Sequence, residues 1–351
     1  MKKYKRAYII SAVAVVVLAA AFMNRSALAM LGFDWFVQGA VADRIKDTYK
    51  PVDRQPKPVP VSEEKNEEEP FSVLLLGVDQ RGKEIGRADT MIYTVVRPSD
   101  GNMLLVSIPR DTYVEIVGKD YSDKINHSYA FGGAGMTMDT VEKLFDAPVD
   151  HYASINFQGF RDAIDAMGGI SLPIEEDMIN DDYGHEKFII KGGQDLYNGK
   201  DALNYVRYRE DAGGDMSRTE RHQEFLSAMI EKATEMKQWS KIPELMDIMG
   251  ENFSTDIPPN ELIDLAQGLL QADNRTMYNH TLLGHGGRLV EGGTYLYFVD
   301  EADLASVQTM IKNWLNADTN AASLVLPSKY GEQPEKEVES LSGSSSANET
   351  E

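Results

Sequence analysis

Residues 71–112 read FSVLLLGVDQRGKEIGRADTMIYTVVRPSDGNMLLVSIPRDT and contain three apolar runs separated by polar loops. The runs are Phe71–Gly77, Met91–Val96 and Met103–Ile108. They are continuous rather than alternating in polarity, which is typical of strands that are buried on both faces of a sheet. We therefore expect these runs to form the centre of a sheet that is covered on both sides.

Amphipathic segments follow these strands. Helices are predicted at Met136–Phe145, Phe157–Met167, Ala202–Arg209, Ser217–Trp239, Pro259–Gln271 and Glu301–Leu315, and further strands at Val149–Ile155, Gly169–Ile174 and Tyr295–Val299. This interleaving predicts an α/β fold in which a central mixed β-sheet is covered by helices in α-β-α layers. Folds of this kind usually bind ligands just beyond the ends of strands.

The beginning of the chain predicts a membrane location. Residues 1–6 carry four basic side chains and no acidic one, and residues 7–23 are apolar. That length is near the lower limit for one transmembrane helix, and the basic flank predicts that everything after Arg25 lies outside the cytoplasm. We favour an uncleaved signal anchor. A signal peptide cleaved near residues 27–29 is the alternative.

Composition divides the chain into four parts. Residues 1–25 form the basic tip and anchor, 26–70 a juxtamembrane segment and Pro/Glu-rich spacer, 71–327 the folded domain, and 328–351 a disordered acidic and Ser-rich tail. The chain of 351 residues has no cysteine, which excludes disulfides, a thiol nucleophile and cysteine zinc sites. Its net charge of -21 disfavours nucleic acid as a partner.

Charged residues gather at the ends of the first three predicted strands. They are Asp79, Arg81, Arg87, Asp89, Arg110 and Asp111. Two carboxylates at one sheet edge can hold Mg²⁺, which prefers one or two carboxylates together with phosphate and water oxygens. Arginine forks match phosphate oxygens. The same residues also fit a structural interpretation, in which the carboxylates cap turns and pair with the arginines.

A second basic group lies between residues 205 and 224. Arg207 and Arg209 are two residues apart, which aligns them in an extended segment but not on one helical face. Arg218 and Arg221 are three apart and share one face of the next helix. Acidic residues interleave with them, so charge alone favours a solvated salt-bridge lattice.

Seven ordered strings across residues 71–230 change that interpretation. They are LLLGVDQR, RADTM, SIPRDTYV, KINHSYAFGG, NFQGF with DAMGG, GKDALNYVRYR and GDMSRTERHQ. They resemble the signature blocks of the LytR-CpsA-Psr family of cell-wall glycopolymer ligases. The resemblance implies an anchored phosphotransferase that moves a teichoic acid or capsular polymer from a polyprenyl-pyrophosphate carrier to peptidoglycan. It implies a single-pass protein of a Gram-positive cell membrane with its C-terminal domain outside.

The resemblance also implies roles for residues. Asp79 and Asp89 would hold Mg²⁺, with Mn²⁺ as the alternative metal. Arg110 would be the catalytic arginine. Because arginine is a poor base, we separately expect a carboxylate near it, either Asp111 or Asp89, to take the hydroxyl proton. The pyrophosphate-binding set would be Arg81, Arg87, Lys124, Arg207, Arg209, Arg218, Arg221 and Gln223. The family usually has Gln directly after the second arginine of the RxxR motif. Here His222 occupies that position, so we rank His222 and Gln223 below the arginines as phosphate contacts.

A polyprenyl carrier also needs an apolar slot. The candidates are Tyr129, Phe131, Phe157, Phe160, Phe225, Leu226 and Met229, although such residues are more typical of an ordinary core. Two other functions stay open at this point. The same site in a hydrolase would release the lipid to water, and a non-catalytic scaffold would only bind wall polymer. Transcription regulation is disfavoured, because no helix-turn-helix with a basic recognition helix stands out.

Overall fold

The computed structural model describes residues 48–52, 54, 69–79, 86–181, 187–208, 221–222, 224–229, 231–232, 247–248, 252–258, 261–262, 265 and 276–328. The predicted anchor, most of the predicted spacer and nearly all of the predicted tail lie outside these residues. The predicted site residues Arg81, Arg209, Arg218 and Gln223 also lie outside them. Within the described ranges, no helix is long and apolar enough to cross a membrane.

The described elements are strands, helices and one short 3-10 turn at Ala321–Ser323. The strands are β1 (Phe71–Asp79), β2 (Arg87–Arg97), β3 (Asn102–Ser107), β4 (Tyr113–Glu115), β5 (Ser122–Lys124), β6 (His151–Asn156), β7 (Met178–Asn180), β8 (Phe188–Ile190), β9 (Phe253–Thr255), β10 (Thr276–Thr281), β11 (Gly284–Gly287) and β12 (Leu296–Val299). The helices are α1 (His127–Phe145), α2 (Phe157–Ala166), α3 (Gly199–Arg207) and α4 (Glu301–Leu315).

A six-stranded mixed sheet in the order β10-β3-β2-β1-β6-β9 forms the centre of the fold. The strands β1, β2 and β3 are joined as antiparallel neighbours. β6 runs parallel to β1 and β10 runs parallel to β3, while β9 is antiparallel to β6. The predicted mixed sheet, centred on residues 71–108, is therefore confirmed.

Helices cover both faces of this sheet. On one face α1 and α4 pack against Leu74, Tyr93 and Leu104, which are fully buried. On the other face α2 and α3 enclose a second cluster around Ile164 and Ile170, which the helical residues 224–229 join. The predicted α-β-α layering is confirmed, and burial of apolar side chains on both faces of the sheet stabilises it.

Local backbone chemistry explains two differences from the predicted elements. Gly169–Ile174 is not a strand, and that prediction was wrong: Gly168 and Gly169 both have positive φ, and Ile170 makes only an isolated bridge with Tyr197. Helix α1 begins nine residues before the predicted start because it continues through a kink at Gly132 and Gly133. Gly133 has φ +64°, which glycine adopts without steric cost.

Residues 48–52 and 54 pack against the folded domain, although the sequence predicts them to be part of the spacer. Lys50 donates its backbone N–H to the carbonyl of Thr255 at 2.7 Å, and Tyr152 donates its hydroxyl to the carbonyl of Lys50 at 2.8 Å. Arg54 pairs with Asp139 at 2.8 Å and with Glu142 at 2.7 Å, both on α1. These contacts bind the residues that precede the folded domain to the central sheet and to helix α1.

Candidate active site

A cavity of about 550 Å³ lies between the second face of the sheet and the layer formed by α2, α3 and residues 224–229. Its floor is one face of three adjacent strands, because Leu75 of β1 lies beside Ile92 of β2 and Ala153 of β6 in the strand register. Its roof includes Phe160 and Leu203. Since protein interiors are close-packed, a space of this size between two layers is typical of a ligand site.

One end of the cavity carries charged side chains from separate segments. Asp79, Asp89, Arg110 and Arg207 all line it, and they come from β1, β2, the loop after β3 and the end of α3. The sequence predicts site roles for all four. The predicted chemistry requires these four side chains to lie in one cavity, and the structure places them in the same lining.

A β-bulge places Asp89 at this end. Gly77 pairs with Thr90, but Val78 pairs with Ala88, so Asp89 is an extra residue on β2. The pairing resumes with Ala88 fully buried in the main core and Asp89 lining the cavity. Bulges commonly redirect one side chain beside a binding site, and this one brings a second carboxylate to the edge that Asp79 occupies.

Arg110 is held by two carboxylates. Its Nη1 donates to Oδ1 of Asp89 at 2.7 Å, and its Nε lies 3.6 Å from Oδ2 of Asp111. Lys124 donates its Nζ to Oδ1 of Asp111 at 2.7 Å. The side chains of Asp89, Arg110, Asp111 and Lys124 are 13–27% exposed, so water screens these contacts less than it screens pairs at the open surface. The result is an ordered line of alternating charges that runs away from the cavity.

Arg207 is positioned by the end of helix α3. It is the last residue of the helix, and its guanidinium carbon lies 4.9 Å from the centre of the Phe157 ring. The next helical segment satisfies the terminal carbonyls of α3. His222 donates from Nε2 to the carbonyl of Val206 at 2.9 Å, and Arg221 donates from Nη2 to that of Tyr208 at 2.5 Å. These bonds hold the backbone on either side of Arg207, and the cation–π contact places its guanidinium beside the ring of Phe157.

The hydroxyl of Tyr205 also stabilises the contact between the end of α3 and the next helical segment. It donates to Oε2 of Glu224, which ties α3 to the 224–229 segment. Burial, together with the hydrogen bond and negative charge of Glu224, raises the pKa of Tyr205 above its ordinary value. The phenol therefore remains protonated and continues to donate throughout the neutral pH range.

Not all of the predicted site residues line the cavity. Arg87 is exposed, Lys124 is engaged by Asp111, and Arg221 is buried with its guanidinium 5.3 Å from the ring of Tyr208. None of these three residues is part of the cavity lining, and neither is Asp111. His222, which the sequence ranks low, does line it. Arg221 and His222 thus act in the fold by closing the end of α3.

The apolar part of the cavity contains five of the seven lipid-slot candidates: Phe157, Phe160, Phe225, Leu226 and Met229. Tyr129 packs against the main core instead, and Phe131 lies at the surface beside Tyr121. The lining also contains polar residues to which the sequence assigns no role, namely Thr90, Ser154, Asn156 and Asn180. Asn156 could have been found from its place at the junction of a strand and a helix, where it caps α2.

The donor set at the charged end fits a hard cation. Asp79 and Asp89 are the carboxylates in the cavity lining. Throughout the described ranges, no group of three or more His, Cys, Asp or Glu side chains is placed to bind a metal ion. Two carboxylates cannot complete an octahedral shell, so a cation here would take its remaining ligands from phosphate and water. Mg²⁺ typically binds in this way.

Comparison with known proteins gives a consistent result. The family model described as the LytR_cpsA_psr family matches residues 36–313. A protein of Bacillus licheniformis named polyisoprenyl-teichoic acid–peptidoglycan teichoic acid transferase TagU is 39% identical over 71% of this chain and 79% of its own length. The crystal structure of B. subtilis TagU superposes with a TM-score of 0.55 at 35% identity, covering 71% of this chain and 97% of that one. A structure described as TagT bound to LI-WTA superposes with a TM-score of 0.64 at 28% identity, covering 76% and 99%.

Proposed function

The chain belongs to the LytR-CpsA-Psr family, and we propose that it transfers a teichoic acid-type glycopolymer from a polyprenyl-pyrophosphate carrier to peptidoglycan. The observation that carries this proposal is the division of one cavity into two chemical parts. Arg110, Arg207 and two carboxylates line the cavity, and most of the other lining side chains are aromatic or aliphatic. Such a cavity matches a donor with an anionic head and an apolar chain.

The reaction that we propose is a phosphoryl substitution. A hydroxyl oxygen of peptidoglycan bonds to the phosphorus that carries the polymer, and the bond from that phosphorus to the bridging oxygen breaks. The electron pair of this bond leaves with polyprenyl phosphate, and the polymer remains on peptidoglycan through a phosphodiester. Reactions of this kind depend mainly on positioning and on neutralising charge. The guanidinium groups of Arg110 and Arg207 are suited to both tasks.

Asp79 and Asp89 are our candidates for holding Mg²⁺, with Mn²⁺ as the alternative. The bound ion would neutralise charge on the pyrophosphate. The proton of the acceptor hydroxyl must pass to a base, and arginine is too weakly basic in its charged form to accept it. Asp89 lines the cavity, whereas Asp111 lies outside the lining and accepts from Lys124. This difference favours Asp89 over Asp111 as the general base. If Asp89 takes that role, Asp79 would hold the ion together with phosphate and water oxygens.

We further propose that the protein works at the outer face of a Gram-positive cell membrane, anchored by residues 7–23. The polyprenyl donor is itself a membrane lipid, so an anchored enzyme and its substrate would share one surface. The signal-anchor and cleaved-leader alternatives differ in the mass of the mature protein, which mass spectrometry of membrane fractions would measure.

The function is tested with the purified full-length protein in detergent, a polyprenyl-pyrophosphate-linked teichoic acid precursor, Mg²⁺ and peptidoglycan. We expect a covalent polymer–peptidoglycan conjugate and one polyprenyl phosphate released per conjugate. Release of polyprenyl phosphate without conjugate would identify a hydrolase. Binding of polymer with neither product would identify a scaffold. Asp79→Asn, assayed at the same Mg²⁺ concentration, provides the matched control with lowered transfer, because it removes a charge but keeps the shape of the side chain.

A further inference from the structure

Three ring side chains form a continuous row across two small hairpins. Tyr113 of β4 contacts Phe298 of β12 with ring centres 5.8 Å apart, and Phe298 stacks with His285 of β11 at 5.7 Å. His285 and Phe298 are direct cross-strand partners, and Tyr113 is the partner of Lys124 on β5. We call Tyr113, Phe298 and His285 the ring row.

The ring row faces away from the core. Val114, the next residue along β4, packs against the main core, so Tyr113 points to the opposite face. Tyr297 is likewise buried and donates its hydroxyl to the carbonyl of Leu282, which places Phe298 on the outer face of β12. Tyr113 and Phe298 are partly exposed and His285 is exposed. The exposed parts of these rings form a surface strip that a partner can contact.

The ring row is joined to the charged end of the cavity through backbone and side chains. Tyr297 donates its N–H to the carbonyl of Asp111 at 2.9 Å, and Thr112 forms a bridge with Tyr297. Lys124, the cross-strand partner of Tyr113, binds the carboxylate of Asp111, which in turn contacts Arg110. A path of adjacent residues therefore leads from Arg110 at the cavity to Tyr113, Phe298 and His285 on the outside.

We propose that the ring row is the binding surface for the acceptor glycan, a chain of linked N-acetylated hexosamine rings that leads its reacting hydroxyl to Arg110. This proposal rests on the proposed transfer reaction and adds a location for its second substrate. The donor fits the cavity on the inner side of Arg110. The acceptor must therefore arrive from another side of the same arginine, and the ring row begins there.

The chemistry of the ring row suits a sugar chain. The face of an aromatic ring is electron-rich, and the C–H faces of pyranose rings carry partial positive charge that packs against it. Ring spacings of 5.8 and 5.7 Å make a strip long enough for a short run of linked sugars. Lys124 and Asp111, at the start of the row, offer polar atoms to sugar hydroxyls. The carrier lipid is a less suitable occupant, because the apolar part of the cavity gives it a better site.

The test measures acceptor and donor kinetics separately in the full-length protein. The variants are Tyr113→Leu, Phe298→Leu and His285→Ala, with Tyr113→Phe as the ring-preserving partner and Phe131→Leu as an exposed aromatic control elsewhere. We expect each lost ring to raise the KM for peptidoglycan about three- to tenfold, with kcat at saturating acceptor and the KM for the lipid donor unchanged. Tyr113→Phe and Phe131→Leu should behave as the unmodified protein.

Direct binding of peptide-free glycan strands, measured by calorimetry, separates this proposal from the transfer reaction itself. A protein that binds strands through the ring row but forms no conjugate would refute the transferase and keep the binding surface. Conjugate formation with an unchanged acceptor KM in all three variants would refute the surface and keep the transferase. An increase in the donor KM would place the lipid on the ring row and overturn the proposal. His285→Ala keeps the test decisive if the partly buried rings prove necessary for folding.

Discussion

Replacing Arg110 by lysine tests whether the site needs the planar guanidinium group or only a positive charge. The guanidinium spans two partners, with Nη1 at 2.7 Å from Asp89 and Nε at 3.6 Å from Asp111. A lysine ammonium is a single point and cannot hold both carboxylates and also direct two donors at a phosphate. Loss of one preorganised donor to a transition state costs about 10²–10³ in kcat. We expect about that loss for Arg110→Ala and a loss of about tenfold or more for Arg110→Lys.

The stability effect of the same change should be small. The paired side chains of Arg110 and Asp89 are 23% and 27% exposed, so their ion pair contributes only about 1 kcal/mol at most. For a domain of this size that corresponds to a decrease in Tm of about 2–4 °C. Activity is measured as conjugate formed per minute at saturating donor and acceptor, well below the Tm of each variant.

Arg54→Lys is the matched control. Arg54 also grips two carboxylates, Asp139 at 2.8 Å and Glu142 at 2.7 Å, and donates to the carbonyl of Val149 at 3.0 Å, but it does not line the cavity. Its loss should lower Tm at least as much as the loss of Arg110, with kcat unchanged. If Arg110→Lys keeps nearly full kcat, or if Arg54→Lys loses activity equally, the reasoning about the fork is refuted.

Three further predictions concern the metal, the cavity and alkaline stability. Asp79→Asn should raise the Mg²⁺ concentration that gives half-maximal transfer, measured by metal titration with Asp111→Asn as the control; identical titration curves would contradict a cation at Asp79. Ala163→Trp adds bulk to the cavity lining. It should raise the KM for donors with long polyprenyl chains about tenfold and for those with short chains less, because each displaced methylene costs about 0.8 kcal/mol. Equal effects on both donors would place the polyprenyl chain outside the cavity. The raised pKa of Tyr205 means that its contribution to the free energy of unfolding is complete below the unfolded pKa of about 10 and is lost as the pH rises above it. Urea unfolding from pH 8 to 11 should show a weaker decline in Tyr205→Phe, and parallel declines would argue against this role.

The centre of the fold could be predicted because its signals are local. Continuous apolar runs marked β1, β2 and β3, and the alternation with amphipathic segments marked the layers on either side. The short strands β4, β7 and β11 could not be predicted, since strands of three or four residues carry too little periodicity to stand out. The segment 48–54 has the composition of a spacer. Its docking depends on Thr255, some 200 residues away, which no local pattern reveals.

The candidate site could be predicted only in part. Asp79, Asp89 and Arg110 stand next to strand ends, where converging ligands are expected, and the family resemblance added Arg207. Sequence could not separate these from Arg221 and Lys124, because residue type does not show which charged side chains line the cavity. Arg221 is committed to Tyr208, and Lys124 to Asp111. Those partners are fixed by tertiary packing.

The bulge at Asp89 makes the placement of this carboxylate depend on the number of residues in β2 as well as on their identity. Deleting Asp89 would restore regular pairing between β1 and β2, and the sheet would keep its hydrogen bonds. The deletion would nevertheless remove the carboxylate that Arg110 grips. We expect such a shortened chain to fold and to lack transfer activity. A relative whose β2 has no bulge at this position should therefore keep the fold without the proposed reaction.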